Sequence, residues 1–260
     1  MMRTGLTIVL LLLASLSVAA APEPFDEAIE GARFHGAITL DGELFHVQGL
    51  ELQAARMWVT SVDRATRRGY LHEVDRVSGR VLRRIDLTDG VRYHPGGISI
   101  DGRSLWVPVA ELRANSSAML VEIDTETLAV RRRIPVADHI GCIAAHGRWL
   151  VAGNWDSRLL YVVDRDDPRH MRIVPNPSGT RYQDMKFVGG RLVAGGPRTW
   201  WNGTVDWLDW PALTLRRSIR AGGYTAEGMA VEGRELYLAP EDGRGRVFHF
   251  RLDDPTSAHA

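Results

Sequence analysis

Three histidines, His46, His94 and His139, each stand four residues before an apolar residue, Leu50, Ile98 and Ile143, in successive stretches of the chain. Neutral imidazoles gathered from separate stretches suit zinc, iron or copper, and Gln48, Asp184 or Glu227 would complete the shell of such a divalent transition metal. A water on that metal would be activated for lyase, hydrolase or oxygenase chemistry. The alternative is structural: each histidine bridges its loop to a neighbouring backbone, because buried polar groups need partners. No short-range metal spacing of the HExxH kind is present, and both readings stand.

A second recurrence is acidic. Six residues past Met57, Leu105, Leu150, Leu192 and Leu236 come Asp63, Glu111, Asp156, Arg198 and Asp242. Closely placed carboxylates shift one another's pKa and serve as general acid and base, which makes Glu111, Asp156, Asp184 and Glu227 the candidate catalytic groups. Arginine follows three of the ring acids two residues later, at Arg113, Arg158 and Arg244. That spacing equally describes salt bridges that lock the ring. Arg198 replaces an acid, and with Arg181 it would bind a carboxylate or phosphate in bidentate fashion. Gln48 and Gln183 add amide groups beside the histidine ring. Trp155, Trp200 and Trp201 fall in the same loops and are candidates for contacting a ligand, whereas Trp58, Trp106, Trp149, Trp207 and Trp210 sit at strand positions that predict core.

Rings of this kind need elements that bring equivalent residues to one axis. The segment Tyr93 to Glu111 combines an alternating strand, an Asp101-Gly102 turn and a returning strand, the pattern of a β-hairpin. Copies begin at Gly49, Gly97, Cys142, Asp184 and Gly228, and the apolar markers Leu50, Ile98, Ile143, Met185 and Met229 are 48, 45, 42 and 44 residues apart. Such a period matches one four-stranded propeller blade of roughly 40–50 residues. The last unit lacks a fourth strand, and Arg33 to Gly42 resembles Arg83 to Gly90. An amino-terminal strand completing the last sheet would close the ring and remove open edges. The chain therefore predicts an all-β, five-bladed β-propeller, with both rings on one axial face.

The flanks and composition bound the function. Residues 1–20 read as a cleavable signal peptide, with Arg3 before an apolar run and Val18-Ala19-Ala20 as the cleavage site. Residues 21–31 form a polar lead, 32–254 one propeller domain and 255–260 a tail. The expected location is the periplasm or the medium, without a stable membrane anchor after processing. Cys142 is the single cysteine, so no internal disulfide forms. The 32 basic and 32 acidic side chains cancel, which argues against nucleic acid as a partner and leaves a small molecule or short peptide bound by a monomer. Lys186 is the only lysine.

The segments HPGGI at His94, WVPVAE at Trp106, ADHIG at Ala137, YQD at Tyr182 and PED at Pro240 resemble an uncharacterised family of secreted bacterial and fungal propeller proteins. That resemblance implies the fold and export and no known activity. More distantly, Phe45-His46-Val47-Gln48-Gly49-Leu50-Glu51 resembles the first blade of plant-type glutaminyl cyclases, which implies glutaminyl-peptide cyclotransferase activity as an alternative. Only Gln48 and Gly49 carry over, because Gly96-Gly97-Ile98 stands where those cyclases have a catalytic glutamate. Fold-level analogy also brings in five-bladed furanoside-cleaving enzymes and propellers that hold iron on histidines.

Overall fold

Short alternating segments separated by turn residues fold into five antiparallel sheets around one axis. The structure, a computed structural model, describes residues 29–199, 202–241, 243 and 245–254. The signal peptide, most of the lead, the tail, Trp200, Trp201, Asp242 and Arg244 lie outside the described residues.

The first strand, β1 (Ala32–Thr39), belongs to the last blade. Blade one holds β2 (His46–Gln53), β3 (Arg56–Asp63), β4 (Arg68–Asp75) and β5 (Val81–Asp86). Blade two holds β6 (His94–Pro95), β7 (Ser99–Asp101), β8 (Ser104–Ala110), β9 (Ala118–Asp124) and β10 (Val130–Val136). Blade three runs β11 (Ile140–His146), β12 (Trp149–Asn154), β13 (Leu159–Asp164) and β14 (Met171–Pro175). Blade four runs β15 (Asp184–Val188), β16 (Arg191–Pro197), β17 (Gly203–Asp209) and β18 (Leu215–Arg220). Blade five has β19 (Gly228–Glu232), β20 (Glu235–Ala239) and β21 (Arg246–Leu252). β1 pairs antiparallel with β21, from Ala32 opposite Leu252 to Thr39 opposite Arg246, and completes this sheet. The lead is less detached than its polarity predicts, because Ile29 is buried against blades four and five.

Turn chemistry explains the spacing of the outer strands. Aspartate ends the third strand of blades one to four, and in three of them its carboxylate accepts from the following turn. Asp75 Oδ1 takes the Val77 and Ser78 amides, Asp124 Oδ1 those of Glu126 and Thr127, and Asp164 Oδ1 that of Asp166. These are Asx turns, the local reason for aspartate at this position.

The core is not a single cluster. Five apolar clusters each fill one gap between adjacent blades, for example Trp58, Leu71, Ile98 and Leu105 between blades one and two. Leu50 and Met57 pack with Ala230 and Val247 between blades one and five. All five marker residues, Leu50, Ile98, Ile143, Met185 and Met229, are fully buried. Both faces of every sheet are thus covered, and the ring has no open side.

At the axis the backbones approach closely. A Cβ on Gly96 would lie 1.9 Å from Gly141 O, and one on Gly97 would lie 2.3 Å from Gln183 O. The loop expected to enter the strand at Ile98 itself carries a short strand, β6, before β7 begins at Ser99. Gly97 donates to Gly141 O (2.9 Å) and accepts from Ile143 N (3.1 Å), a bridge to blade three that splits the inner strand of blade two into β6 and β7.

Polar groups fill the remaining space on the axis. Asp184 Oδ2 accepts from Leu50 N (2.9 Å) and Met229 N (3.0 Å), while Oδ1 accepts from Met185 N (2.9 Å) and from Lys186 Nζ. Lys186 also donates to Ile98 O. One ion pair therefore ties blades one, two, four and five together. Burial holds the Asp184 carboxyl above its ordinary range, against the pull of Lys186.

Glu51 stands within electrostatic reach of that pair and accepts from Leu52 N and Ile100 N. Burial pushes its carboxyl from 4.5 up to about 7. Between those values the folded chain holds a proton that the unfolded chain has released, so stability falls as pH rises through this window. Glu51→Gln removes that contribution. Thermal melts from pH 4 to pH 8 are expected to decline more steeply in the wild type than in the variant, and parallel profiles would refute the assignment.

Candidate functional site

The loops that enter the inner strands and leave the second strands meet on one axial face. His46 opens β2, and its Nε2 lies 3.3 Å from Glu227 Oε1 and 3.5 Å from Glu241 Oε1. It touches both carboxylates without a formed hydrogen bond to either, and the buried nitrogen has no other partner. Glu227, in the loop before β19, is nearly buried, and desolvation pushes its carboxyl up to about 7 against the opposing effect of His46. Glu241 follows β20 and is about half exposed.

His94 continues the wall. Its ring centroid is 5.9 Å from that of His139. Desolvation is the largest cause that lowers its pKa to about 3, followed by the charges of His139, His46 and Arg64. It is a neutral imidazole at any physiological pH, and its buried Nδ1 has no hydrogen-bond partner. His139 is also pushed down by burial. Its Nδ1 is engaged, 2.8 Å from Glu111 O, and its ring packs edge-on against Trp155 at 4.6 Å.

The three histidines therefore line one mouth, but their nitrogens do not form a common ligand set. Among the described residues, the group of three whose metal-ligating atoms all come within 4.8 Å of one another is His46, Glu227 and Glu241. Glu241 was missed in the sequence because the six-residue offset points to Asp242. Pro240, which has no N–H for a ladder, follows the end of β20 at Ala239, and the carboxylate that reaches His46 comes one residue earlier than the offset predicts. Arg64 was missed as well, although its charge reaches both His94 and Glu227.

The acidic ring is dispersed. Asp63 accepts from Ala65 and Thr66 in its own turn. Glu111 is bound by Arg113 Nε at 2.9 Å and Ser117 Oγ at 2.8 Å, and these contacts hold its carboxyl below the ordinary range. Asp156, in a left-handed conformation (φ 59°), lies 3.8 Å from Arg158 and 4.0 Å from Arg181. Among the described residues the acid-x-arginine spacing thus makes bridges within one loop, and the contact between Arg181 and Asp156 crosses blades.

Arg181 retains a buried, unpartnered Nε. Arg198 is exposed beside Gly179. Gln48 is buried and its side-chain amide donates to Val47 O, whereas the Gln183 backbone N–H donates to Gly195 O. Asp184 is committed to the axial ion pair. Trp149 and Trp210, expected in the core, are partly buried against the cluster between blades three and four, and they also line a cavity of about 600 Å³ with Met171 and Pro211, at the end of those blades away from the mouth. Outer strands diverge as blades fan out, which leaves this gap.

Comparison with known proteins agrees with this architecture. No curated protein sequence matches the chain. Among solved structures it is similar to a glutaminyl cyclase from Myxococcus xanthus, with a TM-score of 0.61 and 15% identity over 85% of this chain and 96% of that one. It is also similar to BamB from Moraxella catarrhalis, with a TM-score of 0.41 and 13% identity over 78% of this chain and 59% of that one. At 15% identity the likeness to the cyclase speaks for the fold alone. The model of a family of unknown function, DUF6454, matches residues 18–204, from the amino-terminal region into the third strand of blade four. With that match spanning most of the propeller, the chain belongs to the DUF6454 family.

Proposed function

We propose that this protein is an exported propeller that binds a small molecule or short peptide at the axial mouth formed by His46, His94, His139, Trp155, Glu227 and Glu241. The observation that carries the reading is the buried His94 Nδ1, which has no hydrogen-bond partner, beside His46 Nε2, whose neighbours are the Glu227 and Glu241 carboxylates at 3.3 Å and 3.5 Å. Buried polar atoms are normally satisfied, and one left open at the start of β6, in the same mouth, calls for an outside partner. Charge narrows its chemistry. Glu227 and Glu241 favour a cationic amine at one end, Arg64 favours a carboxylate or carbonyl within reach, and the neutral His94 acts as a hydrogen-bond partner. An amino acid or a peptide amino terminus has these groups.

The test is a thermal-shift screen of amines, amino acids and short peptides on chelator-treated protein, followed by fluorescence titration of the hits. Trp155 packs on His139, so an occupant should quench emission in the wild type and not in Trp155→Phe. His94→Ala is expected to weaken binding roughly tenfold, the loss of one buried hydrogen bond at about 1.4 kcal/mol. Hits that ignore both substitutions would place the ligand elsewhere. Peptides beginning with glutamine belong in the panel, because ammonia release from them is the readout of cyclisation.

A further inference from the structure

We propose that His46, Glu227 and Glu241 hold a divalent first-row transition metal ion, zinc or manganese, at the seam between blades one and five. The inference rests on the mouth described above and names a cofactor for it: the ion takes the place at the two carboxylates that a ligand's ammonium group takes in the metal-free protein. Three observations on one point carry it. The first is spacing: the 3.3 Å and 3.5 Å separations from His46 Nε2 to the two carboxylates are long for charge-assisted hydrogen bonds. They fit the ligand-to-ligand edge of about 3.4 Å expected when nitrogen and oxygen donors sit about 2.1 Å from a tetrahedral ion.

The second is the open valence of His46 Nε2, which is buried and hydrogen-bonded to nothing. The third is charge. Glu227, with its side chain 9% exposed, and Glu241 bring two carboxylates onto one imidazole nitrogen, and like charges so placed repel unless a proton or a metal cation is shared between them. Their ligand atoms all fall within 4.8 Å of one another.

The donor set selects the ion. One imidazole and two carboxylates mix borderline nitrogen with hard oxygen, which suits zinc or manganese better than calcium or magnesium. Copper(I) would want thiolate, and Cys142 is buried with its thiol pushed up to about 12. Three protein ligands leave a coordination position free, as in metal sites that take water or a substrate. The donors come from the start of β2 and from the loops flanking the β19–β20 hairpin, and the packed strands behind them fix their positions.

The experiment is titration of chelator-treated, untagged full-length protein with zinc, manganese or cobalt(II) alone, read by bound metal after dialysis and, for cobalt, by the visible d–d spectrum. About one ion per chain is expected in the wild type. Glu241→Gln, at a half-exposed position where folding is not at risk, is expected to weaken binding at least tenfold, and His46→Ala to abolish it with the circular dichroism spectrum unchanged. Absence of stoichiometric metal overturns the proposal. So does metal that survives Glu241→Gln and His46→Ala but is lost in His139→Gln, which would assign it to the histidine ring. Because the titration contains metal alone and the ligand screen contains none, failure of one leaves the other result standing.

Discussion

Asp184→Ala lowers the unfolding free energy by about 3–5 kcal/mol, the cost of breaking a buried ion pair by removing one partner. The substitution strands Lys186 without its counter-ion and removes the acceptor of the Leu50, Met185 and Met229 amides. It acts on blades one, four and five at once, and through Lys186 on Ile98 of blade two. Urea denaturation followed by tryptophan fluorescence measures it. A loss below about 1 kcal/mol would mean that water or relaxation replaces these bonds, and the axis would then not be the clamp described here. Lys186→Met provides the converse test, since it leaves the same carboxylate buried and unpaired.

Gly96→Ala is expected to cost at or beyond the upper end of the about 1–3 kcal/mol typical of overpacked cores. The added methyl would meet the Gly141 carbonyl at 1.9 Å. That carbonyl cannot withdraw, because it accepts from Gly97 N and belongs to the bridge that holds blade three against blade two. Gly102→Asn is the matched control: its φ of +63° is one that asparagine tolerates, and nothing lies within 4 Å of a Cβ there. Equal urea midpoints for the two variants would remove the steric argument.

The architecture was largely legible in the sequence, because blades repeat with a fixed period and turn aspartates mark the end of the third strand. The amino-terminal strand could be assigned as a blade's fourth strand because Arg33 to Gly42 resembles Arg83 to Gly90 of blade one. Legibility ended where side-chain direction decides. His139 stands in register with His46 and His94, and its Nδ1 makes the bridge to a neighbouring backbone that the structural alternative expected, to Glu111 O; spacing did not tell which of the three would do so. Glu241 was hidden by the early end of β20 next to Pro240. Lys186 carried a signal that was noted without its consequence: a lone lysine two residues after Asp184 lies on the same face of an inner strand. Trp149 and Trp210 read as core because strand position specifies the sheet and not how far neighbouring blades splay.

The pairing of β1 with β21 puts the first and last strands of the ring side by side, and His46 and Glu227 straddle the same seam. The two sides of that seam come from the first and last repeats: His46 from blade one, Glu227 and Glu241 from blade five. A chain cut short after blade four would keep His46 and lack both carboxylates. The mouth as described is in that sense a mark of completeness, present only where the beginning of the polypeptide has found its end.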